Sequence, residues 1–129
     1  MKKNIKLLII LLIVFSFNTN SSYSAMSGSG NDEASLYNAG KKLIYRAKRL
    51  EKKNKIEKAN ALYLKAYNKL IKAYDKDKKN ADILNYLGYS LRKTGDLEKA
   101  ESYYLKGLEL DAGHIGINEY LGELYVQTN

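Results

Sequence analysis

Two stretches of this chain repeat one another at a distance of 34 residues: Ile83, Tyr86, Leu87, Gly88 and Thr94 recur as Ile117, Tyr120, Leu121, Gly122 and Thr128. A fixed period of this length constrains the fold more tightly than any composition. Each copy is one supersecondary unit that cannot bury its apolar face alone and must stack on its neighbours. Within one period, residues 84–91 space their apolar side chains as a helix does, Gly95-Asp96 supplies a glycine stop followed by an N-cap, and residues 97–110 form a second amphipathic helix. One period therefore reads as helix, tight turn, helix.

Residues 81–114 carry Leu84, Leu87, Gly88, Leu91, Gly95, Ala100, Tyr104 and Gly107 at the spacing of the tetratricopeptide repeat signature, and the chain resembles that family from about residue 40 onward. The physical sense stands beside the resemblance. Gly88 and Ala100 let two helix axes approach closely, and Leu87, Leu91 and Tyr104 fill the space around the contact. Ala112 stands where the family usually has Pro, and Gly107 where it usually has Ala. The resemblance implies an all-α fold, a short right-handed solenoid of about two and a half repeats.

The first repeat fits two registers. A shift of 34 aligns Ala66, Leu70 and Ala73 with the second repeat; a shift of 41 aligns Leu43, Ala47, Leu50, Asn54, Ile56, Ala59, Tyr63 and Ala66, helices and turn together, and is preferred. The difference of seven residues is two helical turns and keeps the apolar stripe on its face. The expectation is a long hairpin, helices 34–53 and 55–77, with Leu36, Tyr37 and Leu43 against Leu70, Ile71 and Tyr74. Residues 34–80 would form this hairpin, 81–114 the second repeat, and 115–129 the lone first helix of a third. Packing Leu121, Gly122 and Tyr125 inward would leave Ile117, Tyr120 and Leu124 facing outward, which suits pairing with another chain, an imperfect cap, or a chain that continues.

Ahead of the repeats, Lys2, Lys3 and Lys6 precede an apolar run over residues 7–17, and residues 18–24 turn polar and small. That order matches a secretory signal peptide over 1–24, cut after Ser24, followed by a linker over 25–33. Eleven residues of helix span about 17 Å, short of a bilayer's roughly 30 Å core, so a retained anchor is the weaker alternative. The periplasm is the expected location.

The net charge of +8 describes neither half: residues 31–79 carry 15 basic and 6 acidic side chains, residues 80–129 carry 4 and 8. With no Cys and one His, thiolate metal sites, disulfides and cysteine nucleophiles are excluded. His114 reads as a satisfied loop histidine, and the pairs Glu98/Glu101 and Asp75/Asp77 as solvated surface; no cofactor, metal or catalytic group is expected, and the chain reads as a non-enzyme.

Two binding surfaces remain. By the resemblance, the first helices line a concave groove that takes an extended segment of a protein or peptide partner. Its candidate residues here are Lys48, Lys52, Asp82, Asn85, Tyr89, Arg92, Lys93, Glu119 and Glu123, with Lys41, Ile44, Glu51 and Gly116 at the same kind of position. Among the tyrosines, Tyr89 is expected in the groove, whereas Tyr63, Tyr86, Tyr104 and Tyr125 are expected in the core. The alternative is a basic patch, Lys41, Lys42, Arg46, Arg49, Lys53, Lys55 and Lys58, for an anionic membrane or lipopolysaccharide surface. Export argues against a nucleic acid, and the C-terminal edge could support a homo-oligomer.

Overall fold

The computed structural model describes residues 29–129, which form five α-helices and, among the described residues, no strand: α1 Ser29–Glu51, α2 Ile56–Lys76, α3 Ala81–Thr94, α4 Leu97–Leu110 and α5 Ile115–Thr128. The expected leader over 1–24 lies outside the described residues. No described helix is long and apolar enough to cross a membrane.

Each boundary has a local cause. Asn80 and Asp96 cap α3 and α4 by accepting from the Ile83 and Lys99 amides at 3.3 Å. Gly95 closes α3 at φ 95°, a conformation that costs a side chain dearly, and hands its N–H back to the last turn. His114 caps α5 through Nδ1, which accepts from the Ile117 amide at 3.1 Å, while Nε2 meets Asp82 at 3.2 Å. One boundary differs from expectation. Helix α1 begins at Ser29, so residues 29–33, read as the end of a linker, are helical. Asp32 in its first turn suits the helix dipole, and its carboxylate reaches Lys76 at 3.8 Å on α2.

The helices stack as hairpins, α1 on α2 and α3 on α4, with α3 laid against α2 and α5 against α4. A fully buried row on α2 (Ala59, Tyr63, Ala66, Leu70, Ala73) runs at a heptad spacing. It explains why both registers fit. A Cβ on Gly40 would lie 2.6 Å from Leu70, just as one on Gly88 would lie 2.5 Å from the Tyr104 ring. Those pairs are related by 34 on the second helix and 48 on the first; one heptad inward, Ala47 and Tyr63 are the pair related by 41. The long hairpin holds both layers, and Leu36, Tyr37, Leu43, Ile71 and Tyr74 pack around them.

The last helix keeps Leu121 inward as expected but rotates the rest of the expected face. Ile117, Leu121 and Leu124 are buried, whereas Gly122 faces open space, Tyr125 is 40% exposed, and Ile115 and Val126 are each 82% exposed. The reason lies in α4. Gly107 lacks a methyl group, and the Ile117 side chain fills that notch, rotating α5 so that Leu124 follows it inward. Tyr125 turns outward and donates to Glu101 at 2.7 Å.

The two period-related glycines should therefore respond oppositely to alanine. Gly88→Ala must push a buried ring and should destabilise by about 1–3 kcal/mol. Gly122→Ala adds a methyl to open space in a helix interior and should stabilise by about 0.5–1 kcal/mol. Urea unfolding of the two variants measures both, and equal signs would contradict this packing.

Candidate functional site

The first helices α1, α3 and α5 present their side chains to one another on one side of the stack, and tyrosines dominate there. Tyr37 of α1 meets Tyr86 of α3 with ring centroids 6.0 Å apart, and Tyr89 of α3 meets Tyr120 of α5 at 4.6 Å. Cations lie over these rings. Lys41 Nζ is 5.6 Å from the Tyr37 ring and 5.9 Å from the Tyr86 ring; Lys48 Nζ is 4.4 Å from the Tyr89 ring and 5.3 Å from that of Tyr120. Lys48 also donates to the Tyr120 hydroxyl at 3.2 Å. That bond joins α1 to α5 across α3 and divides the concave face into two halves.

In the half toward the helix C-termini, the charges are spent on one another. Arg92 pairs with Glu123, and Lys93 pairs with Glu51 at 2.5 Å, with Tyr63 donating to the same carboxylate at 2.7 Å. Lys52 alone of this group is exposed without an ion pair among the described residues. Desolvation would raise the Glu51 carboxyl, but the Lys93 ammonium and the Tyr63 hydroxyl outweigh it and hold the pKa below its ordinary 4.5. A depressed carboxyl contributes stability that is complete above its ordinary pKa and is lost as pH falls through the lowered one. The stability gap between the native chain and Glu51→Gln should therefore be widest near neutral pH and narrow progressively as pH falls below 4.5 in urea titrations.

In the half toward the helix N-termini, side chains remain available. Tyr45 is 52% exposed, Asp82 and Glu119 are exposed, and Lys41, Tyr37 and Tyr86 are half-buried. Burial, with the Asp82 carboxylate adding to it, pushes the Tyr37 hydroxyl up to about 12, and burial with the neighbouring Tyr45 raises Tyr86. These phenols stay neutral donors through the physiological range.

Several expected groove residues lie below the surface. Tyr89 and Asn85 are each only 5% exposed, and Ile44 is fully buried; they are the floor of the face and not its lining. Tyr89 is covered because Lys48 of α1 and Arg92 of its own helix lie over its ring, with Tyr120 of α5 beside them, an arrangement that spans three helices. Asn85 lies against the Gly116 backbone, where a Cβ would come within 2.8 Å of its amide nitrogen, and its Oδ1 is buried without a partner. Tyr37, Tyr45 and Tyr120 belong to the face; from the sequence Tyr37 is expected inside the long hairpin and Tyr120 on an outer edge, and Tyr45 is not among the expected residues. Their signal was spacing: Tyr37, Lys41, Tyr45 and Lys48 recur every three or four residues on one side of α1.

The basic patch divides. Lys41 belongs to the concave face, over its two rings. Lys42, Arg46 and Arg49 form a separate exposed row along α1 that Lys53 extends into the turn, while Lys55 and Lys58, also exposed, lie at the turn and on the first turns of α2.

Comparison with known proteins agrees with the repeat reading in its centre. Residues 81–114 match the family model described as the tetratricopeptide repeat, which covers α3, α4 and the turn between them. No curated protein matches the chain. Among solved structures, the first tetratricopeptide domain of Spaghetti (RPAP3), bound to the HSP90 peptide SRMEEVD, is similar at a TM-score of 0.47 and 14% identity, covering 70% of this chain and 94% of that one.

Proposed function

We propose that this chain is a non-enzymatic, exported repeat scaffold of the bacterial envelope that binds an extended segment of a protein partner on its concave face. One observation carries the reading. Beside the self-paired half of the face lies a half where Tyr45 is open, Tyr37 and Tyr86 flank an ammonium, and Asp82 and Glu119 remain exposed. Tyrosine offers large contact area at low entropic cost together with a hydroxyl donor. Lys41 suits an acidic residue of the ligand, and Glu119 a basic one, so the segment that fits is apolar or aromatic with charges of both signs.

The test is selection from a displayed peptide library against the native chain, followed by affinities of the selected peptides. Lys41→Ala with Tyr45→Ala should weaken them by roughly tenfold or more. Unchanged affinity in that double variant sinks the reading, because neither side chain is part of the buried core.

Export rests on the order of Lys2, Lys3 and Lys6, the apolar run over 7–17 and the small residues before Ala25. Mass spectrometry of the protein expressed in a Gram-negative host should find a mature form starting at Ala25. An intact N-terminus in the membrane fraction would replace export by anchoring.

A further inference from the structure

The face of the α1–α2 hairpin turned away from α3 is almost wholly cationic. On α1, Lys42, Arg46 and Arg49 follow one another at intervals of four and three residues, so they share a stripe of about 60°, and Lys53, in the turn just past the helix, borders the same cleft as Arg46 and Arg49. On α2, Lys58, Lys65, Lys69 and Lys72 share such a stripe at intervals of seven, four and three. All eight are exposed. The two rows lie on the same side of the hairpin. Leu62 of α2 borders one shallow cleft with Arg46, Arg49 and Lys53 of α1, and at the other end Lys76 reaches Asp32. The opposite side is the one that packs on the rest of the molecule, through Tyr37 on Tyr86 and through Tyr67 and Tyr74 on Tyr103.

None of the eight cations has a carboxylate within ion-pairing distance among the described residues, and residues 1–28 contain no Asp or Glu to supply one. Of the six acids in residues 31–79, Glu51 pairs with Lys93, Asp75 with Lys78 and Asp32 with Lys76, and Glu33, Glu57 and Asp77 pair with none of the eight cations. Eight like charges held within rows of about 16 Å and 21 Å repel one another and destabilise the hairpin, so their concentration on one face asks for a counter-charge.

We infer that this face docks on the anionic phospholipid headgroups of a bilayer. Two antiparallel rows on neighbouring helices make a flat array, which meets a plane with both rows at once, whereas a nucleic-acid groove admits one. The stripe carries no aromatic side chain on which a base could stack. Six of its eight cations are Lys, point charges suited to a fluid lattice of headgroups. The concave face lies on another side of the hairpin, so lipid docking leaves the peptide surface open.

Flotation of the full chain with vesicles containing phosphatidylglycerol tests this. Binding should be strong at low salt and collapse at moderate salt. Each cation removed should weaken it by about fivefold, so Lys42→Gln, Arg46→Gln, Arg49→Gln and Lys53→Gln together should weaken it several-hundredfold, and Lys65→Gln, Lys69→Gln and Lys72→Gln by about a hundredfold. Glutamine keeps the helices, which circular dichroism verifies. A control that loses four charges elsewhere, Lys78→Gln, Lys79→Gln, Lys99→Gln and Lys106→Gln, should retain most of the binding. An equal loss in that control, equal binding to neutral phosphatidylcholine vesicles, or a DNA duplex that outcompetes the vesicles at equal phosphate each overturns the assignment. Polyphosphate that displaces the protein no better than chloride at equal ionic strength supports a requirement for the bilayer surface; displacement at micromolar polyphosphate assigns the face to soluble phosphates and overturns it.

Discussion

Replacing Tyr104 with Ala should lower the unfolding free energy by about 3–5 kcal/mol, the range for emptying a buried aromatic site. The ring is fully buried, fills the hollow over Gly88, and belongs to the cluster that holds Leu91, Ile117, Leu121 and Leu124. Its loss therefore loosens α3 from α4 and α4 from α5 together. The hydroxyl is a different matter. Tyr104 Oη and Arg92 Nε are both buried without a hydrogen-bond partner, so Tyr104→Phe removes little and should stay within about 1 kcal/mol of the native chain. Urea unfolding of the two variants separates ring from hydroxyl. A Phe variant as damaged as the Ala variant would show that the hydroxyl holds this region together.

Tyr63 should behave in the opposite manner at its hydroxyl. Tyr63→Ala should again cost about 3–5 kcal/mol, because the ring is fully buried in the long hairpin and meets Tyr89 edge-on at 5.9 Å. Here, however, the hydroxyl donates to Glu51, which also holds Lys93, so a single carboxylate ties α1, α2 and α3. Tyr63→Phe removes a hydrogen bond to a charged group and should cost about 1.5–3 kcal/mol. Phenylalanine at 63 and at 104 thus makes a matched experiment: two buried tyrosines, one with a spent hydroxyl and one with an idle one.

Much of the architecture was legible because its causes are local. Gly95-Asp96, the caps Asn80 and Asp96, and the apolar spacing of residues 84–91 and 97–110 act within a few residues, and α3 and α4 lie where they were expected. The start of α1 was missed because Ser and Gly around residue 30 read as linker, whereas packing on α2 carries the helix through them. The face of α5 was misjudged because it depends on a missing methyl at Gly107, eight residues before that helix begins, and no periodicity within α5 reports a notch in its neighbour. The burial of Tyr89 depends on Lys48, 41 positions away, and on Arg92. Of the second cationic row only Lys58 was named, and Lys65, Lys69 and Lys72 escaped notice for a simpler reason. Lys58, Lys65, Lys69 and Lys72 are separated by apolar residues, and only the helix brings them to one side.

The paired layers of the first hairpin also say how this chain can change length. Gly40 with Leu70 and Ala47 with Tyr63 stand one heptad apart on each helix, so deleting seven residues from both helices would superimpose one layer on the other and leave every face pointing where it did. Deleting one, two, five or six residues would leave a net rotation of about 100° or more and drive lysines into the interior, and three or four would leave about 60° or 40°, against about 20° for seven. Matched sevens are then the change in length that this hairpin absorbs with the least rotation, which makes hairpin length a counted quantity.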